Sequence, residues 1–170
     1  MNFEKYIINV PDFPIKGIQF KDITGLIGDG EAFHAAISEL AEFSRLLNAT
    51  KVVGPDARGF ITGAPVAALL QVGFIPVRKP GKLPREVLTY DYDLEYGHNT
   101  LCMHKDAISK GDRVVIMDDL LATGGTMEAT IKLVEAAGGE VVGLGFLIEL
   151  SELKGRARLK NFPIKVLIQY

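Results

Sequence analysis

Apolar residues recur along the chain in two rhythms. In EAFHAAISELAEFSRLLN, residues Phe33, Ile37, Leu40 and Leu47 share one helical face, the stripe of a surface helix packed on a core. In KVVG, VGFIPVR and EVVGLGFLIEL the apolar residues stand together instead, as in buried strands. Between the first two of these, FITGAPVAALLQ reads as a helix interrupted early by Pro65. Strand, helix, strand is the rhythm of a parallel sheet. It resumes at VVIM, a strand over 113–117 buried on both faces, and at GGTMEATIKLVEAAGG, where Met127, Ile131, Val134 and Ala137 fall at helical spacing. TLCMH before this pair is a further strand, and a short basic helix near 152–160 and a last strand, KVLIQY, complete the pattern. The opening NFEKYIINV fits either a short helix or an edge segment stopped by Pro11.

The rhythm breaks between Lys79 and Tyr96. KPGKLPREVLTYDYDLEY is polar, holds two prolines and a glycine, and alternates at VLTYDYDL like an exposed hairpin. A long irregular excursion of this kind predicts a flexible lid over about 79–96. No repeat, linker or low-complexity tract divides the 170 residues, so one α/β domain is expected, an open, mostly parallel twisted sheet flanked by helices.

Composition narrows the partners. With 48% apolar and 24% charged residues the chain is ordinary for a soluble globular protein, and its net charge of −2 offers no footprint for nucleic acid. No apolar run is long enough to span a membrane, and the first residues carry acids and a proline where a signal peptide would be apolar, so a cytoplasmic protein is expected. Cys102, the single cysteine, reads as a small hydrophobe in a strand. His34, His98 and His104 lack metal-ligand spacing and are assigned no metal.

The chemistry concentrates at VVIMDDLLATGGTM. A buried strand runs into Asp118 and Asp119, and the next helix opens on Gly124 and Gly125 between Thr123 and Thr126. The carboxyl ends of strands are where open α/β sheets bind ligands. The first amides of the helix there are unpaired and lie at the positive end of its dipole, so the bend suits a phosphate. The glycines let the backbone come close to an anion, and the two threonine hydroxyls can donate to it and cap the helix. Two carboxylates would repel that anion. They suit sugar hydroxyls on the same ligand, with Mg²⁺ nearby to offset charge. A sugar phosphate meets both demands, and neither G-K-[ST] nor G-x-G-x-x-G is present to suggest a mononucleotide or dinucleotide loop instead.

DDLLATGGT resembles the phosphoribosyl diphosphate (PRPP) signature of the type I phosphoribosyltransferases, and most of all of those that act on adenine. The similarity continues through VPDFPIKGIQFKDIT, VVGPDARGF, VRKPGKLPREV, LEYG and ELSELKGRARL, in family order over nearly the whole chain. It implies the family's fold, with a hood of about residues 1–30, and transfer of the phosphoribosyl group of PRPP to adenine, giving AMP and diphosphate in purine salvage. By the same resemblance Asp118 and Asp119 hold the ribose hydroxyls, and Ala122, Thr123, Gly124, Gly125 and Thr126 hold the 5′-phosphate. Asp56, Ala57 and Arg58, with a cis bond between the first two, bind diphosphate together with Arg78, Lys79 and Lys82. Arg78 would do so across the interface of a homodimer.

For the base, the resemblance implies that adenine stacks on Phe20, while the backbone of Gln19 donates to N1 and that of Lys21 accepts from the 6-amino group. Residue chemistry alone reads Lys21 as a snorkelling side chain on an edge strand, and Arg85 as part of a solvated cationic run with Arg78, Lys79 and Lys82. Glu95, matched to the family's glutamate at N7 of adenine, is expected to act as general acid and base. No residue is assigned to bind metal directly, since Mg²⁺ is carried by PRPP. Two alternatives share the PRPP site: a transferase for another purine base, and a non-catalytic PRPP-sensing regulator, which would want a basic surface that this chain lacks.

Overall fold

The computed structural model describes residues 1–94 and 97–170. After a single 3-10 turn, Glu4–Tyr6, two short strands pair antiparallel: β1 (Ile8–Pro11) and β2 (Gln19–Asp22), with Ile8 opposite Asp22. Both readings of the opening stretch thus hold, one for each of its halves.

Helices α1 (Thr24–Gly28) and α2 (Gly30–Leu46) follow, the second capped by the Asp29 carboxylate accepting from the Ala32 amide. Then come β3 (Lys51–Pro55), α3 (Arg58–Leu70) and β4 (Gly73–Val77). Pro65 does not interrupt α3, which runs through it. A proline removes one helical hydrogen bond. Here Thr62, Gly63, Val66 and Ala67 are buried, and such packing supplies most of a helix's stability in a folded protein.

Strands β5 (Val87–Leu94) and β6 (Gly97–His104) form an antiparallel hairpin, Val87 opposite His104. TLCMH is therefore the second arm of this hairpin, tied to the end of β4 through a bridge between Arg78 and Cys102. The excursion is also less exposed than its polarity suggests. Leu88, Tyr90 and Tyr92 alternate onto the inner face and pack against the core, while Thr89, Asp91 and Asp93 face outwards.

The chain continues as β7 (Arg113–Leu121), α4 (Gly125–Ala136), β8 (Glu140–Glu149), a 3-10 turn at Ser151–Leu153, α5 (Gly155–Arg158) and β9 (Ile164–Gln169). Strand β7 extends four residues past the predicted end, because β8 offers partners as far as Leu121 opposite Glu149.

The central sheet has the order β4–β3–β7–β8–β9, all parallel. Val115 and Met117 of β7 face one core with Leu40 of α2 and Val66 of α3, while Val114 and Ile116 face the other with Ile131 and Val134 of α4. From β3 the chain first adds β4 on one side and later β7 on the other. That reversal opens a crevice between the carboxyl ends of β3 and β7, the place where such sheets take ligands.

Candidate active site

The segments leaving β3 and β7 line one cavity of about 270 Å³, which brings residues 56–58 together with Asp118, Asp119 and residues 122–126. At Gly124 the backbone takes φ 86°, a left-handed turn that a side chain disfavours, and this turn starts α4. The predicted threonine caps are not made, since the N-cap is Gly124 itself and no side chain caps the helix. The helix's first amides consequently keep their free donors at the cavity. The Thr126 hydroxyl lies 3.3 Å from that of Tyr92 on the hairpin.

The acid pair is shielded unequally, with Asp118 half-buried and Asp119 dry. Asp119 is 4% exposed, and its amide donates to Oδ1 of Asp118 at 2.9 Å. Burial, and then the neighbouring Asp119 charge, push the Asp118 carboxyl well above the usual carboxylate range. Burial also raises Asp119, against the pull of Arg58, whose Nε stands 3.0 Å from Oδ2. Two adjacent carboxylates in a site largely shielded from water resist full ionisation, and donors from a ligand would relieve them.

The Asp56–Ala57 peptide is cis. Asp56 accepts from Arg78 Nε at 2.8 Å, and Arg78 also donates to the Lys82 carbonyl at 3.2 Å, so within this chain Arg78 folds onto the β3 turn. Lys79 and Lys82 are exposed. Arg85 instead pairs with Asp106, which divides the cationic run of the sequence.

On β2, Phe20 is half-buried and meets Phe13 edge-on at 5.1 Å, and the Arg58 guanidinium lies 5.4 Å from its ring centre. Arg58 therefore lies between Phe20 and the acid pair. Gln19 and Lys21 line a second cavity, about 470 Å³, with Leu150, Glu152, Leu153 and Tyr170. Lys21 Nζ sits 3.7 Å from the Tyr170 ring, a cation–π contact in place of the expected snorkel.

Sequence reasoning placed these C-terminal residues in the family block ELSELKGRARL and in the last strand, and gave none of them a place beside Gln19 and Lys21. Glu95 lies outside the described residues.

An ion pair with one buried partner joins the C-terminal turn to β8. Glu149, 5% exposed, accepts from Arg156 through both carboxylate oxygens, at 3.1 and 2.6 Å, and from Gln169 at 3.0 Å. Hydrogen bonding to Arg156 draws the Glu149 carboxyl below its usual range. The pair seats Gly155 so close to the Ala122 carbonyl that a β-carbon would collide with it.

The phosphoribosyl transferase domain profile matches residues 24–167. Over all 170 residues the chain is 58% identical to the adenine phosphoribosyltransferase of Clostridium perfringens, covering 99% of that protein. The crystal structure of the Thermoanaerobacter pseudethanolicus adenine phosphoribosyltransferase superposes with a TM-score of 0.95 at 52% identity, over 99% of this chain and 98% of that one. The Saccharomyces cerevisiae enzyme, solved with an imino-altritol bisphosphate and adenine, gives 0.90 at 37% identity over 97% and 96%. A glycine bend and an acid pair at the sheet's switch point, together with this likeness along the full length, mean that the chain belongs to the phosphoribosyltransferase family, among the adenine phosphoribosyltransferases.

Proposed function

We infer that this chain transfers the phosphoribosyl group of PRPP to adenine, forming AMP and diphosphate. The observation that carries this is the single cavity in which the acid pair, with Asp119 buried, stands beside the open amides of α4. A ribose 5-phosphate spans those two features, with its hydroxyls on Asp118 and Asp119 and its phosphate on residues 122–126. Mg²⁺ enters bound to PRPP as part of the substrate, and carboxylate oxygens are donors of the kind it prefers. Asp56, Ala57, Arg58, Arg78, Lys79 and Lys82 hold the diphosphate, where an arginine fork matches paired phosphate oxygens.

Adenine stacks on Phe20, with the backbones of Gln19 and Lys21 reading its N1 and 6-amino edge. Hypoxanthine would set donor against donor and acceptor against acceptor there, at about 1–3 kcal/mol for each buried group left unpaired. As diphosphate leaves the anomeric carbon the incoming base loses a proton, and Glu95 takes it.

We read the active form as a homodimer whose Arg78 serves the neighbouring site, with residues 1–30 as the hood. A lone free cysteine fits the reducing cytoplasm.

Incubation of labelled adenine with PRPP and Mg²⁺ yields labelled AMP on this reading. Folded protein that gives no AMP defeats it, and equal use of hypoxanthine defeats the base assignment.

A further inference from the structure

The inner face of the hairpin ends against the phosphate bend. The Tyr92 hydroxyl lies 3.3 Å from Thr126 Oγ1, and the ring lies 3.8 Å from where a β-carbon on Gly125 would stand. The aromatic body of Tyr92 thus covers the first turn of α4 while its hydroxyl meets a side chain that faces the cavity. A hydroxyl has one proton and two lone pairs, so Thr126 can accept from Tyr92 and donate to a third group at once.

We propose that Tyr92 is a positioning residue: with a phosphate in the bend, Tyr92 donates to Thr126 while Thr126 donates to the phosphate, and occupancy fastens the β5–β6 hairpin to α4. This rests on residues 122–126 being the 5′-phosphate site. The 3.3 Å separation is longer than the about 2.5–3.0 Å of a settled O–H···O bond, which leaves slack for a ligand to take up. A hydroxyl that gives its proton to an anion becomes a better acceptor, so the two bonds strengthen each other. By linkage, whatever phosphate does for the hairpin the hairpin does for phosphate. In the sequence Tyr92 stands three residues before Glu95, so this fastening acts on the strand that leads to the proposed proton carrier.

Hydrogen exchange over residues 87–94, measured with and without ribose 5-phosphate, tests the proposal, with binding followed separately by calorimetry. In the natural protein the ligand slows exchange along this arm. In Tyr92→Phe, which keeps the ring, ribose 5-phosphate still binds within about tenfold of the natural affinity, as loss of one neutral hydrogen bond allows. The slowing is largely lost. Thr126→Ser keeps a hydroxyl and keeps the slowing. Binding that leaves the arm's exchange unchanged in the natural protein, or slows it equally in Tyr92→Phe, overturns the proposal. Failure of ribose 5-phosphate to bind the natural protein defeats the reading of the phosphate site instead.

Discussion

Arg58 Nε stands 3.0 Å from Asp119 Oδ2, joining the turn after β3 to the acid pair on β7. The two strands are neighbours in the sheet, so the contact closes the floor of the crevice between them. Its partners are unequal: Asp119 is dry, while the Arg58 side chain is 41% exposed. Burial alone would drive the Asp119 proton affinity up, and Arg58 opposes that.

Replacing Arg58 by Met removes the opposing charge, so the folded-state pKa of Asp119 rises further above its unfolded value. Stability tied to a raised pKa is full below the ordinary carboxylate range and is lost as pH rises through the folded value. Arg58→Met is therefore least stable, relative to the natural protein, at neutral pH. The deficit is about 1–2 kcal/mol, below the 3–5 kcal/mol of a fully buried pair because water screens the arginine. Denaturant unfolding at pH 7 and in mild acid checks this, and a deficit that grows toward acid refutes it.

Asp118→Asn has the opposite sign. Asn keeps an oxygen to accept from the Asp119 amide and removes a charge that burial disfavours. The raised Asp118 pKa means that the carboxylate costs stability increasingly from acid to neutral pH, whereas Asn does not titrate. Without ligand the variant melts higher at pH 7, by the equivalent of about 1 kcal/mol, and the gain fades in acid. On the proposed function its turnover falls, because Asp118 would no longer be a carboxylate acceptor for the ribose hydroxyls. A lower melting temperature at pH 7 would contradict the account of the acid pair.

Arg156→Met leaves the buried Glu149 without its charge partner, with Gln169 still donating to it. With the Arg156 side chain 44% exposed, the cost is about 2 kcal/mol at neutral pH. The Glu149 pKa is lowered in the folded state, so the pair's contribution is present above the ordinary carboxylate range and is lost as pH falls through the lowered value. Gly155 leans on the phosphate bend, and Glu152 and Leu153 line the cavity beside Lys21, so KM rises for PRPP and adenine together. Steady-state kinetics in which only one KM moves would separate the two sites.

Glu95→Ala retains PRPP binding by calorimetry while turnover falls by about 10²–10⁴, the usual worth of a positioned acid or base. Unchanged turnover removes Glu95 from the proton transfer.

Much of the fold was legible from local pattern. Continuous apolar runs such as VVIM mark strands covered on both faces, and the spacing of Met127, Ile131 and Val134 marks the helix behind the phosphate bend. Pro65 misled because helix propensity is a weak local force that packing overrides. The hairpin looked exposed because Thr89, Asp91 and Asp93 alternate with its apolar residues in a polar excursion, although every second residue from Leu88 to Tyr92 turns inward.

The site divides along the same line. The acid pair with the glycine bend, and the turn at Asp56, are each local in the chain, so sequence by itself determined their order and their place toward the carboxyl ends of β7 and β3. Lys21 against Tyr170, Arg58 between Asp119 and Phe20, and Tyr92 over Thr126 join residues far apart in the chain. Those meetings were decided by strand order and by the packing of the hairpin on α4, because periodicity reports which face a side chain takes and carries no information about what lies opposite it.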